Sequence, residues 1–200
     1  MGFNITNFKN QLPGGGARPS LFEVTLSFPA LSTGDDIRSA FNGLATQVGA
    51  SQKITFMAKA TAIPTSTVAP IEVPYFGRKV KFAGNRTFPE WTITVINDED
   101  FLIRTAFESW LAGINQHEEN KRTYSEAISG GYQCTGTVTQ YDKQGNPLKI
   151  YEFVNVFPSE VSPIELSWAS ENEIEEFTVT LQYDYWKNLS NTVSTGSSSS

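Results

Sequence analysis

The sequence contains 200 residues with a formal charge of −6, 39% hydrophobic residues, one cysteine and one histidine. Its length favours a single domain with a substantial core, and its acidic balance argues against binding to phosphate backbones or anionic membranes. One cysteine cannot form an internal disulfide and one histidine argues against zinc binding or histidine-based catalysis, so we expect a soluble, non-enzymatic protein of a reducing compartment.

The amino-terminal residues 1–20 are predicted to form a flexible arm. Residues 12–19 have no apolar period and contain three consecutive glycines between two prolines. A strand is expected at 21–28, where four apolar residues alternate with polar ones: Phe22, Val24, Leu26 and Phe28. The segment 29–50 is then expected to be an insertion with a weak helical pattern, formed by Ile37, Phe41, Leu44 and Val48.

Three short segments alternate between apolar and polar residues and are therefore predicted to be strands. They are residues 52–60, 78–82 and 91–95. In the first segment, Ile54 and Phe56 would share the apolar face. The second is expected to end in a turn at Gly84 and Asn85, because glycine and asparagine tolerate turn conformations.

One helix, at about 98–112, is predicted to pack on the strands. Asn97 is the expected N-cap and Gly113 the expected stop. Three acidic residues in the first turn would interact favourably with the helix dipole. The apolar residues recur at helical spacing and would form one stripe: Leu102, Ile103, Ala106, Phe107, Trp110 and Leu111.

The second half of the chain predicts a hairpin and a final strand. The hairpin would join 132–141 to 148–157 through a turn at 142–147. The final strand, 174–186, would present one apolar face made of Phe177, Val179, Leu181, Tyr183 and Tyr185. Residues 188–200 are rich in serine and are expected to be a disordered tail.

Together these elements predict a mainly β protein, an antiparallel β-sandwich or small barrel with one packed α-helix, occupying residues 21–187. We expect no catalytic residue, no metal site and no cofactor. His117 lies in a charged stretch, and Cys134 lies in a strand pattern that favours a small buried hydrophobe. The segment 142–146 lacks the spacing of a calcium loop, and the glutamates of 171–176 are expected to be solvated.

Seven segments, taken in order, resemble the tail tube proteins of contractile-tailed bacteriophages. They are 17–24 (ARPSLFEV), 59–64 (KATAIP), 77–99 (GRKVKFAGNRTF, then EWTITVINDE from 90), 166–168 (LSW), 172–174 (NEI), 177–181 (FTVTL) and 184–186 (DYW). The insertion at 29–50, the segment 115–131 and the serine-rich tail depart from the family pattern. These departures affect expected surface contacts more than the expected fold.

The resemblance implies a structural role. Subunits of this family form hexameric rings with a shared central β-barrel, and the rings stack into a hollow tube inside the contractile sheath. The implied partners are other copies of the chain, the tail sheath protein, the tape-measure protein, and the baseplate and tail-terminator proteins. Double-stranded DNA would pass through the lumen without specific binding. The protein would be assembled in the host cytoplasm and reside in the virion tail.

The polar face of the final strand is the expected lining of the channel. This face consists of Glu176, Thr178, Thr180, Gln182 and Asp184. An acidic chain suits such a conduit, because a basic lumen would retain DNA. Six subunits at −6 each would carry −36 per ring. The competing interpretation is that this is an ordinary solvent-facing strand.

Two other functions stay open on the sequence alone. The first is the tube protein of a phage-tail-like or type VI secretion contractile machine. The second is a monomeric β-sandwich carbohydrate-binding module that uses exposed tryptophans. Its candidate residues are Trp91, Trp110, Trp168 and Trp186.

Overall fold

The computed structural model describes residues 4–12, 15–29, 43–115, 131–168, 170 and 173–189. Within these ranges the chain is mainly antiparallel β, as predicted, with three helices. The helices are α1 (Ile5–Asn10), α2 (Gly43–Met57) and α3 (Leu102–Ile114). The strands are β1 (Phe22–Leu26), β2 (Ala58–Thr61), β3 (Thr67–Tyr75), β4 (Arg78–Thr87), β5 (Trp91–Ile96), β6 (Cys134–Tyr141), β7 (Pro147–Val161), β8 (Glu176–Gln182) and β9 (Tyr185–Asn188).

The main sheet has the strand order β1-β6-β7-β8-β5-β2, and β9 also pairs with β7. Strand β7 connects the two halves of this sheet. Its first part pairs with β6 and β9, whereas its last residues, 157–161, pair with β8. At Asn155, between these parts, φ is 59° and the register with β6 shifts. Because such a bulge bends a strand, the two halves of the sheet can enclose one core.

The core lies between the two halves of the sheet. Its largest contributions come from alternate strand residues, namely Val24, Leu26, Trp91, Ile93, Val95, Val138, Phe153, Val156, Phe177, Val179 and Leu181. Trp91 stacks on Phe153 with ring centroids 4.0 Å apart. A Cβ atom added at Gly136 would lie 2.8 Å from the Trp91 ring. Close packing therefore requires glycine at this position.

The predicted strands at 21–28 and 91–95 and the hairpin around 142–147 are confirmed by β1, β5 and the β6–β7 pair. The carboxylate of Asp142 organises the hairpin turn by accepting hydrogen bonds from the backbone N–H groups of Gln144 and Asn146, at 2.7 and 2.9 Å. These and other hydrogen bonds of the turn lower the pKa of Asp142. The segment is therefore a turn, as its composition indicates.

Helix α3 covers one side of the core. Its buried residues include Phe107 and Trp110, and Phe28 packs edge-on against both rings, with centroid distances of 5.1 and 5.5 Å. The indole N–H of Trp110 donates to the carbonyl of Tyr132 at 2.6 Å. The predicted helical stripe thus does face the core, and the helix is fixed to the start of the following hairpin.

The predicted ends of this helix are wrong. Its N-cap position is Phe101, and the side chain of Asn97 instead donates to the carboxylate of Glu175 at 2.9 Å. The carboxylate of Asp100 accepts a hydrogen bond from the backbone N–H of Leu102, in the first turn of the helix, at 3.1 Å. Gly113 does not stop the helix, because it is buried inside α3 and the helix continues by one residue.

The predicted strand at 52–60 is wrong over most of its length, because residues up to Met57 belong to α2 and only β2 is extended. In the helix, Ala50 and Ile54 lie four residues apart and are both buried, whereas Phe56 is 84% exposed. The few apolar residues of this short segment fit both the period of a helix and that of a strand. Packing of the segment on β1 and α3 stabilises the helix. Ile37 and Phe41 of the weak helical pattern lie outside the described residues.

The final segment, predicted as one strand, is divided into β8 and β9 by a turn at Tyr183 and Asp184. Because of this turn, β8 pairs with the part of β7 that follows the bulge at Asn155, and β9 pairs with the part that precedes it. The predicted apolar face of the first part is confirmed, since Phe177, Val179 and Leu181 are buried. The flexible arm predicted for 1–20 and the disordered tail predicted for 188–200 stay predictions. Within the arm, residues 5–10 form α1, which has no buried side chain.

Strands β3 and β4 form a hairpin that the sequence did not predict in full. The turn expected at Gly84 and Asn85 is wrong, because both residues continue β4. Gly84 lies at an irregularity in the pairing, where an added Cβ would be 2.5 Å from the carbonyl oxygen of Ala69. The actual turn has positive φ at Phe76 and Gly77, the pattern of a type I′ hairpin.

Candidate functional site

The outward face of β8 and β5 is dominated by threonine. Because Phe177, Val179 and Leu181 point into the core, the alternate residues of β8 point away from it. Thr178 lies opposite Thr94 and Thr180 opposite Thr92 in the antiparallel pair. We call these four residues the threonine face. Their side chains form a polar surface that carries no charge of its own.

Charged side chains surround the threonine face, and we call them the charged rim: Lys59, Glu90, Glu160, Glu176 and Asp184. Lys59 forms an ion pair with Glu176, with an N–O distance of 2.5 Å. Glu90 accepts a hydrogen bond from the amide of Gln182 at 2.7 Å. The four carboxylates outnumber the one lysine, so the rim has a net negative charge.

The structure brings most of the predicted channel residues together. Glu176, Thr178, Thr180 and Gln182 follow one another on the outward face of β8. Asp184 lies beyond the end of that strand, in the turn before β9, and accepts from the amide of Asn155 at 2.5 Å. Thr92 and Thr94 belong to the same surface but were not among the predicted residues, although the alternation of β5 in the sequence places them on its polar face.

Two strand edges border the half-sheet that carries the threonine face. Among the described strands, β2 is the terminal strand and pairs only with β5. On the other side, residues 157–161 of β7 pair with β8, while the ladder with β6 ends at Val156. Both edges therefore offer backbone N–H and C=O groups to another chain.

The β3–β4 hairpin presents a second surface. Cross-strand pairs place five apolar residues on one face, which we call the hairpin face: Ile71, Val73, Tyr75, Val80 and Phe82. All five are exposed, and Phe76 at the tip is 91% exposed. On the opposite face, Lys79 forms an ion pair with Glu72 at 2.7 Å. In the described part of the chain, the hairpin strands pack only against each other.

The chain between β7 and β8, residues 162–175, is described at 162–168, 170 and 173–175, and we call it the acidic loop. Its sequence contains four glutamates and no basic residue. Its start is fixed because Ser162 exchanges hydrogen bonds with the backbone of Thr178, and its end because Glu175 accepts from the backbone and side chain of Asn97. Between these ends Leu166, Trp168 and Ile174 are exposed, and the loop borders a cavity of about 510 Å³.

Cys134 and the ionisable groups of the described residues do not form a reactive centre. Burial raises the pKa of Cys134, which keeps it a thiol rather than a thiolate nucleophile. Lys53 of α2 donates hydrogen bonds to Asp98 and Asp100, and these bonds connect α2 to the start of α3. They also lower the pKa values of both carboxyl groups. The part of the chain that the structure describes contains no group of acidic, histidine and cysteine residues able to hold a metal ion. His117 lies outside it.

The tryptophans do not form a shared binding surface. Trp91 and Trp110 are buried in the core, and the indole of Trp186 donates to the carbonyl of Thr65 at 3.2 Å. Only Trp168, which is 99% exposed, could stack freely on a ligand. No helix among the described residues is sufficiently long and apolar to span a bilayer.

Comparisons with known proteins identify this architecture. Residues 17–189 match the family model described as phage tail tube protein. The chain is 34% identical to tail tube protein gp19 of Enterobacteria phage T4 over 172 residues, which cover 86% of this chain and 91% of that protein. It is 25% identical to the tail tube protein of Serratia phage KSP90 over 181 residues, covering 90% and 93% of the two chains.

Solved structures agree on the fold at lower sequence identity. A chain of the anti-feeding prophage baseplate superimposes with a TM-score of 0.60 at 12% identity, covering 89% of this chain and 98% of that one. A chain of the PVC sheath–tube complex, from an extracellular contractile injection system, has a TM-score of 0.56 at 13% identity and covers 94% and 99%.

Proposed function

The chain belongs to the phage tail tube protein family, and from that premise we propose that it forms hexameric rings whose shared β-barrel has the threonine face on its inner wall. The protein is a structural subunit of the virion tail and not an enzyme. The rings stack into the tube inside the contractile sheath. The tube surrounds the tape-measure protein before infection, carries double-stranded DNA during ejection, and contacts baseplate and terminator proteins at its ends.

The observation that carries this proposal is the half-sheet that has a polar outward face and two edges without a partner among the described strands. A ring requires a heterologous contact in which two different surfaces of the same subunit meet. The edge of β2 and the edge formed by residues 157–161 of β7 lie on opposite sides of the same half-sheet, so they can pair between neighbours. Such pairing satisfies the exposed backbone groups and extends one sheet around the ring.

The chemistry of the inner wall suits the passage of DNA. Threonine hydroxyls are short and uncharged, and the single lysine of the charged rim is already paired with Glu176. The described residues of this wall therefore offer no free cation to phosphate groups, whose neutralisation by lysine and arginine dominates non-specific binding of DNA. Residual carboxylates on the rim would repel the duplex weakly within about one Debye length, about 8 Å at physiological salt.

The other half of the sheet has a similar polar outward face, which could line the channel instead. Thr25 and Thr137 lie opposite each other on the outward face of β1 and β6, as Thr92 and Thr180 do on β5 and β8. That face is interrupted by larger groups, since Tyr141 donates to Glu23 at 2.5 Å. We assign it to the outside of the ring, where it can contact other tail proteins.

Electron microscopy of labelled tubes tests this assignment. In a Cys134→Ala background, Thr180→Cys and the matched control Thr137→Cys are each labelled with a maleimide gold cluster and assembled, with baseplates where these are needed. We expect six-fold rings in both samples, with gold density inside the channel for Thr180→Cys and outside the barrel for Thr137→Cys. The opposite distribution of gold would refute the wall assignment, and monomers even with baseplates would refute assembly.

A further inference from the structure

The hairpin face is a surface that the pairing of sheet edges leaves unexplained. Its side chains are between 38% and 60% exposed, and Phe76 at the tip is almost fully exposed. The alternation of apolar and polar residues in β3 and β4 is typical of a strand pair that is covered on one side. No other described element covers it within the chain. Contiguous apolar surface of this kind marks an interaction site.

The charge of the hairpin limits what can cover it. Residues 67–87 contain four basic side chains and one acidic one, a net charge of +3. Arg78 lies opposite Tyr75, on the same side as the hairpin face, and forms no ion pair with a described residue. The complementary surface must therefore combine apolar side chains with negative charge.

The acidic loop has this combination of properties. Its four glutamates give it a charge of −4, and Leu166, Trp168 and Ile174 are 82%, 99% and 71% exposed. Its two ends are held by backbone hydrogen bonds, so the exposed segment is presented from fixed positions. One of its glutamates, Glu175, already accepts a hydrogen bond from Asn97 within the chain. Glu173 has none among the described residues and is available to a second molecule.

We propose that the hairpin of one subunit docks on the acidic loop of a second copy of the chain, with Phe76 and the hairpin face against Trp168 and Arg78 near Glu173. The inference rests on the proposed assembly from identical subunits and adds a contact to it. Because the two surfaces differ, the contact is heterologous and propagates from copy to copy instead of closing in a dimer. Burial of the aromatic and aliphatic side chains supplies the affinity, and opposite charge sets the orientation.

Disulfide formation between copies tests the contact directly. In a Cys134→Ala background, Phe76→Cys protein is mixed with Trp168→Cys protein, allowed to assemble and oxidised mildly. The control mixture pairs Trp168→Cys with Phe56→Cys, which replaces an equally large phenylalanine that is 84% exposed on α2. We expect about tenfold or more crosslinked dimer in the test mixture, because docking raises the effective concentration of the two thiols.

The possible outcomes separate this inference from the proposed function. Tubes that are visible by electron microscopy but crosslink no better than the control overturn the contact and leave the tube intact. Efficient crosslinking of Phe76→Cys on its own overturns it in favour of a contact between two hairpins. The absence of tubes even with baseplates, with crosslinking at the control level, overturns both proposals.

A charge exchange supplies a second, independent measurement. Arg78→Glu is expected to reduce the fraction of protein that sediments as tubes, and adding Glu173→Lys to the same chain is expected to restore it. Lys143→Glu, in the exposed turn between β6 and β7, makes the same change of charge away from the hairpin and is expected to have no effect. If the double variant assembles no better than Arg78→Glu alone, the pairing of Arg78 with Glu173 is wrong.

Discussion

The charged rim around the threonine face contains four carboxylates and one lysine, and its sign can be reversed with two substitutions. The wild-type rim has a charge of −3, which is −18 for six subunits. Replacing Glu176 and Asp184 with lysine changes each subunit by four units, to +1, and the ring to +6. Both side chains are on the surface, so we expect the variant to fold and assemble.

If the threonine face lines the channel, the reversed rim should slow the ejection of DNA. If the reversed ring contacts about two phosphates, the logarithm of its affinity for DNA falls with the logarithm of the salt concentration with a slope of about −2. Raising the salt concentration from about 50 to about 200 mM should then weaken this affinity about tenfold. The assay is the rate of DNA release from triggered virions, followed with an intercalating dye at several salt concentrations.

The outward face of the other half-sheet supplies a matched control. Glu152 lies 3.8 Å from Lys187, as Glu176 lies beside Lys59, and Glu23 accepts a hydrogen bond from Tyr141. Replacing Glu23 and Glu152 with lysine changes the charge by the same four units without altering the proposed wall. Ejection that is slowed equally by both variants, or by neither, would refute the position assigned to the threonine face.

Three further predictions concern stability, measured as urea unfolding midpoints. Gly136→Ala should cost about 1–3 kcal/mol, because its Cβ would overlap the Trp91 ring. Asn155→Ala should cost about 1–2 kcal/mol and Asn155→Gly less, since φ is 59° there. Lys53 lowers the pKa values of Asp98 and Asp100 below 3.8, so their contribution is present above that pH and lost as pH falls through the lowered values. Lys53→Met should reduce this acid-dependent loss without abolishing it, because backbone hydrogen bonds from Glu99 and Leu102 also lower the two pKa values.

The parts of the fold that could be predicted are those whose side chains are buried within one chain. In β5 and β8 every second residue enters the core, so the sequence shows an unbroken period of two. The stripe of α3 was predictable for the same reason, because Phe107 and Trp110 recur at helical spacing on a buried face. The ends of α3 were not, since the cap depends on how Asn97 bonds to Glu175, which is 78 residues away.

Helix α2 shows where the apolar pattern of a sequence does not distinguish a helix from a strand. Between Ser51 and Met57 the sequence has few apolar residues, and Ile54 with Phe56 suggests alternation. The helix is selected by tertiary contacts, because Ile54 fits the core while Phe56 stays outside it. Lys53 reinforces this choice by pairing with Asp98 and with Asp100, both of which precede α3. None of these partners is local in the sequence.

The β3–β4 hairpin was missed for a different reason, which bears on the candidate site. Prolines at 70 and 74 lie within β3, where prolines are unusual, and the strand packs on no described element other than β4. The apolar period of a sequence reports burial within its own chain, whereas the proposed complement of the hairpin face belongs to a second copy. The same holds for the outer edges of β2 and of residues 157–161 of β7, which pair with no described strand. The residues that periodicity explains least are therefore those through which the subunit is expected to assemble.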